Sequence, residues 1–203
     1  MITVGLEFFR PTKVMRELFV LLFLRETEHV SQHELAREIG VSSSMANNYM
    51  KSLVGQGMVA ISGHTNRTMK YAVTAKGNDR LTGLMSMYSR EIARLYSIAK
   101  REVEKRLQAL HAEGIKKVVL FGAAETGELV YGAAKATSIK IVGWVDNDPA
   151  KHQLRFGEIR VCAPSLIETF QPDAVLIASS GKTDEIRRQL QSFPQKGIAV
   201  VTL

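Results

Sequence analysis

The chain has one cysteine, Cys162, in 203 residues, which excludes an intramolecular disulfide and any metal site built from several thiolates. That thiol reads as a small hydrophobe of the core. Long hydrophobic runs are also missing. No apolar stretch approaches the roughly 18 residues that span a bilayer, and Leu18 to Leu24 is short and flanked by charge. Glu7 and Arg10 interrupt the start, and no small-residue cleavage site follows an apolar stretch, so the expectation is no signal peptide and a cytoplasmic protein. Phosphate-loop and nucleophile-elbow patterns are absent, and no histidine or carboxylate pair has metal-ligand spacing. The expectation is therefore a binding protein and not an enzyme, with no catalytic and no metal residues.

What is present is a moderate excess of positive charge, +7 overall. Residues 1–113 carry 16 Lys+Arg against 11 Asp+Glu, so most of the excess lies in the N-terminal half. This suits a polyanionic partner such as double-stranded DNA.

Apolar residues recur at helical spacing from Thr12 to Glu28, predicting a first helix. Ser31-Gln32-His33-Glu34 is a capping box that opens a second, and Gly40 ends it. Ser42 caps a third helix. In it Met45, Ala46, Tyr49, Met50 and Leu53 are expected to face inward, leaving Ser43, Ser44, Asn47, Asn48 and Lys51 outward, with Gly57 closing it. Two short helices around a Gly-containing turn form a helix-turn-helix suited to a major groove. Asn pairs bidentately with adenine, Ser bonds base edges or phosphate, and Lys reaches guanine or the backbone. The alternative is an ordinary solvated helix face. Met58 to Ser62 and Thr68 to Thr74 then read as two strands around the polar turn Gly63-His64-Thr65-Asn66-Arg67. This is a wing, whose Asn66 and Arg67 suit a minor groove or a phosphate.

Residues 31–77, ending in Tyr71-Ala72-Val73-Thr74-Ala75-Lys76-Gly77, resemble the winged-helix domain of MarR-type regulators. The Ser-Gln-x-Glu-Leu-Ala opening and the charged helix after the wing are similar to a MarR-like group associated with exopolysaccharide gene clusters. The resemblance implies a transcriptional regulator and, by that association, control of surface polysaccharide genes.

From Leu81 to Ala112 no proline occurs, and apolar residues fall at Leu84, Tyr88, Ile92, Leu95, Ala99, Val103, Leu107 and Leu110. One long helix follows, its repeat slightly above 3.6 and so not a strict heptad. It is expected to dimerise the protein, the alternative being a spacer packed on its own domains.

After Gly114 strands alternate with helices, which implies a parallel sheet. Strands are expected at 117–121, 139–145, 159–161, 174–178 and 198–203. Gly122-Ala123-Ala124-Glu125-Thr126-Gly127 follows the first strand, where a Rossmann-type fold receives a phosphate on a helix N-terminus. Gly122 and Gly127 match the outer glycines of the fingerprint, and Ala124 replaces the middle one. Asp146 sits where an acid accepts ribose hydroxyls. Ser179 and Ser180 lie in a loop that could line the same pocket. The purely structural alternative gives the glycines to strand-helix packing and Asp146 to a turn.

The stretches 120–124, 142–149 and 172–178 resemble the nucleotide-binding N-terminal domain of sialic-acid-type and bacillosamine-type sugar acetyltransferases, which implies a nucleotide sugar as ligand. The left-handed β-helix that follows in those enzymes does not follow before Leu203, so acetyl transfer is not expected.

The fold class expected is an α+β winged helix-turn-helix (1–80), a connecting and dimerising helix (81–113) and an α/β Rossmann-like domain with a parallel sheet (114–203). Three other readings stay open. One is a redox-sensing repressor similar to Rex that binds NAD(H), disfavoured by the short C-terminal part. Another is a nucleotide-sugar enzyme subunit that does not bind DNA. The third is a DNA-binding protein whose Rossmann-like domain serves only assembly.

Overall fold

The computed structural model describes residues 11–27, 30–63, 69–179 and 181–203, in two compact units, Met1–Ala93 and Arg94–Leu203. The expected readings at Glu7, Arg10, Asn66, Arg67 and Ser180 lie outside the described residues. Among the described residues no helix is long and apolar enough to cross a membrane.

In the first unit α1 (Lys13–Glu26) starts at Thr12, whose hydroxyl accepts the Met15 N–H at 3.2 Å. The capping box is formed: the Ser31 hydroxyl accepts the Glu34 N–H and the Glu34 carboxylate accepts the Ser31 N–H, opening α2 (Gln32–Ile39). Both orphan amides are thereby satisfied. Gly40 closes α2 at φ 66°, and the Val41 N–H reaches back to the Ala36 carbonyl. Ser42 caps α3 (Ser43–Gly55) through the Met45 N–H. Strands β1 (Val59–Ser62) and β2 (Lys70–Val73) pair antiparallel, Val59 opposite Val73 and Ser62 opposite Lys70. The core draws Leu18, Leu21 and Leu24 from α1, Leu35 and Ile39 from α2, Ala46, Met50 and Leu53 from α3, and Leu81 and Leu84 from the next helix.

That helix, α4, runs Ala75–Ala112, six residues longer at its start than the periodicity predicts. Thr74 is the reason. Its hydroxyl accepts the Gly77 N–H, as an N-cap does, and donates to the Gly57 carbonyl, while Lys76 Nζ donates to the Gln56 carbonyl. Thr74-Ala75-Lys76-Gly77 thus starts α4 and ties it to the end of α3.

The second unit holds the C-terminal part of α4, β3 (Lys117–Phe121), α5 (Glu125–Ala134), β4 (Lys140–Val145), β5 (Arg155–Phe156), β6 (Ile159–Cys162), β7 (Ala174–Ile177), α6 (Thr183–Gln189) and β8 (Ala199–Thr202). Their order in the sheet is β5-β6-β4-β3-β7-β8. All pairs are parallel except β5 with β6, which form a hairpin turning at Gly157, φ 62°. The sheet is therefore mostly parallel, not wholly so.

Alternation along β3 sends Val118 and Leu120 to one face and Val119 and Phe121 to the other. The first face is covered by Val103, Leu107 and Leu110 of α4 with Val130, Ala133 and Ala134 of α5. The second is covered by Ile186 and Leu190 with Ile167 of a 3-10 helix, Pro164–Phe170. Both faces are buried, as parallel strands require. Leu107 and Leu110, fully buried, each stabilise this unit by about 2 kcal/mol. From β3 the chain steps to β4 and β6 on one side and then to β7 and β8 on the other. The order reverses between β3 and β7.

Candidate functional site

Two regions carry the residues singled out in the sequence. On α3, Ser42, Ser43, Ser44, Asn48 and Lys51 are all exposed. Ser42 uses its oxygen lone pair on the Met45 amide, so its hydroxyl proton is what it offers an acceptor. Two assignments change. Asn47, expected to face outward, is half-buried. Met45, expected in the core, is 43% exposed. The inward positions are filled by Ala46, Met50 and Leu53. Met45 lies at the edge of that stripe.

In the second unit Gly122 leaves β3 at φ 111°, a conformation that glycine adopts without strain. A Cβ there would also lie 3.2 Å from the Ala178 carbonyl oxygen and the Ser179 Cβ, so the backbones after β3 and β7 approach closely. Ala124 is the exposed first residue before α5 and gives no side-chain cap. The first turn of α5 carries Glu125 and Glu128, whose charges complement the helix dipole. Gly127 is buried against the Gly122 carbonyl and the Trp144 ring, and the Trp144 indole donates to that carbonyl at 2.9 Å. Gly127 therefore serves strand-helix packing, as does the outer glycine of the Rossmann fingerprint.

Asp146, at the end of β4, is the buried charged residue of the unit, 8% exposed. Its Oδ2 accepts the Ala123 N–H at 2.6 Å and the Lys151 ammonium at 3.1 Å, and its Oδ1 accepts the Asp148 N–H at 2.9 Å. Burial would raise its pKa, yet the Ala123 and Asp148 amides and the Lys151 charge together hold the carboxyl below its ordinary value. A carboxylate has about four acceptor positions. Three are taken by the Ala123 and Asp148 amides and the Lys151 ammonium.

Several partners escaped the sequence reading. Lys151 sits on a 3-10 turn, Pro149–Gln153, capped by the Asp148 carboxylate on the Ala150 N–H. The Asp-Asn-Asp-Pro sequence was a usable signal for that turn. His152 Nε2 lies 2.9 Å from the Asp146 carbonyl, which it reaches as a donor. Asn147 and Gln189 exchange a reciprocal pair of amide hydrogen bonds at 3.0 and 3.2 Å, tying the loop after β4 to α6. Ser179 is half-buried, and its carbonyl accepts the Thr183 hydroxyl.

A family model described as winged helix-turn-helix DNA-binding matches residues 20–60, and one described as C2185-like, N-terminal, matches residues 114–197. The first unit is a winged helix-turn-helix. No curated protein matches the chain. Among solved structures, UDP-D-quinovosamine 4-dehydrogenase from Vibrio fischeri is similar at 21% identity and TM-score 0.38, covering 44% of this chain and 78% of that one. MepR, a transcription regulator of the Staphylococcus aureus multidrug efflux pump MepA, is similar at 14% identity and TM-score 0.38, covering 48% and 74%. A Mycobacterium tuberculosis MarR family protein complexed with p-aminosalicylic acid is similar at 26% identity and TM-score 0.34, covering 47% and 77%.

Proposed function

We propose that the chain is a dimeric DNA-binding transcriptional regulator whose Rossmann-like C-terminal unit binds a nucleotide-containing metabolite. The observation that carries the DNA reading is α3, a helix capped by Ser42 after the Gly40 turn, which presents Ser43, Ser44, Asn48 and Lys51 to solvent. Such a face enters a major groove, and Asn66 and Arg67, which lie between β1 and β2 in the sequence, are assigned to the flanking backbone or minor groove. The resemblance to exopolysaccharide-associated regulators makes surface polysaccharide genes the proposed target.

The test is fluorescence anisotropy on duplexes enriched from a random library. Lys51→Ala is expected to weaken binding on the order of tenfold, and Arg67→Ala to weaken it across all sequences while lowering the salt slope by about one. Unchanged affinity in both variants would remove α3 and the wing from the interface.

The ligand proposed is a nucleotide sugar seated at the carboxyl ends of β3 and β4, with Gly122 to Gly127 beneath it, Asp146 accepting a ribose hydroxyl and Ser179 beside it, and Ser180 is assigned to the same pocket from its place in the sequence alone. Support comes from the reversal of strand order between β3 and β7 and from the remaining acceptor position on Asp146. Thermal unfolding against UDP-, GDP-, CMP- and dTDP-sugars, NAD+ and NADH reads this directly, because a ligand of the folded state alone raises the midpoint saturably. The expected result is a rise with one class of nucleotide sugar. A rise with NADH alone replaces this reading by a redox sensor, and no rise with any of them makes the unit an assembly module.

A further inference from the structure

Resting on the DNA-binding reading above, we propose that Met45 is a specificity-determining residue that packs on the methyl group of a thymine in the major groove.

Met45 is the only large apolar side chain exposed on α3. Single exposed apolar residues are common on protein surfaces. Its position sets this one apart. It belongs to the first turn of the helix, held there by its own N–H donating to the Ser42 hydroxyl, and first-turn residues of a recognition helix meet base edges. Around it the exposed residues of α3 are small or polar: Ser43, Ser44, Asn48 and Ser52. With Asn48, one helical turn on, Met45 lines a groove of about 420 Å3 between α3 and the start of α1, lined also by Lys13 and by Glu17, whose carboxylate is paired with Arg80. The groove wall is thus apolar at Met45 and hydrogen-bonding at Asn48.

Thymine alone among the DNA bases presents a methyl group in the major groove, and its neighbour on the code is the adenine that an Asn side chain reads bidentately. A Met and an Asn side by side therefore match adjacent positions of an A/T step. The unbranched thioether adapts its shape to such a contact, and burying one methyl against it is worth about fourfold in affinity.

The test pairs a protein change with a DNA change. Duplexes are first enriched on the wild-type protein, and each thymine of the enriched site is then replaced by deoxyuridine, which removes only the methyl. At one thymine per half-site, deoxyuridine is expected to weaken wild-type binding about fourfold, to leave Met45→Ala unaffected, and to weaken Met45→Leu as it does wild type. Met45→Ala is an exposed change to the best helix former, and its melting curve should match wild type. A deoxyuridine penalty equal in wild type and Met45→Ala at every thymine overturns the assignment of Met45 while leaving the DNA reading intact. So does an enriched site at which no thymine methyl matters. Failure of wild-type protein to enrich any duplex overturns the DNA reading and the Met45 assignment together.

Discussion

Replacing Gly77 by alanine is expected to destabilise the Met1–Ala93 unit by about 3 kcal/mol or more, while the same replacement at Gly83 in the same helix stabilises it by about 0.5–1 kcal/mol. Both glycines lie inside α4, where helix propensity alone favours alanine. A Cβ on Gly83 meets nothing within 4 Å. One on Gly77 would overlap the Met58 carbonyl and lie 2.7 Å from Val73 Cγ1. Neither neighbour has room to yield. The Met58 carbonyl accepts the Thr74 N–H at 3.0 Å, and Val73 is paired with Val59 across the hairpin. Moving α4 away instead breaks the Thr74 hydroxyl bonds to Gly57 and Gly77 and the Lys76 bond to Gln56. Small domains have only about 5–15 kcal/mol in total, so the Gly77 variant loses a large share of it. Denaturant unfolding of the two variants side by side gives the answer. Equal midpoints would mean that the close approach of α4 to the β1 end is not a constraint on this fold.

The same motif shows what a sequence reveals and what it hides. Ser31 with Glu34, Gly40 and Ser42 were legible because a cap is local chemistry: donor, acceptor and backbone conformation all lie within four residues. Thr74 is also a cap, but one without that local signature. Its second partner, Gly57, lies 17 residues away, and Thr74 itself reads as the end of the strand 68–74. The strands of the second unit were legible to within a residue or two from their apolar runs, because strands buried on both faces leave a continuous signature. β5 was not, since two residues carry no periodicity and only the turn at Gly157 marks the hairpin.

At the candidate sites the limit is the same. Met45 stands at the border of the apolar stripe of α3, and which side of that border faces water depends on α1 and α2, not on α3. Asp146 falls at the end of β4 as its spacing implied, but its acceptor positions are filled from Ala123, 23 residues earlier, and from Lys151 on a turn that only the folded chain brings back. Sequence located the carboxylate. The structure shows which of its acceptor positions the protein itself fills.

Introducing glutamate at both Ile92 and Leu95 is expected to convert a dimer into monomers and to weaken operator binding about 100-fold or more. The apolar stripe of α4 is buried at Leu81 and Leu84 within the first unit and at Val103, Leu107 and Leu110 within the second. Between them Ile92 is 48%, Leu95 39% and Ile98 44% exposed. A stripe that continues in register and stays exposed among the described residues is suited to the same stripe of a second copy about a two-fold axis. Two joined winged helices then meet two half-sites, and the second contact is made at the effective concentration of a tethered partner. Carboxylates facing each other across that axis would lose water and repel, which breaks the pair. Ser86→Glu with Ala93→Glu, on the opposite face of the same helix, adds equal charge and should change neither assembly nor affinity beyond the shared electrostatic cost on DNA. Light scattering gives the mass and anisotropy the affinity. If the Ile92 and Leu95 variant remains a dimer of wild-type affinity, the second copy sits elsewhere. If both charge pairs weaken DNA binding equally with no change of mass, the loss is repulsion from phosphate and α4 is not the interface.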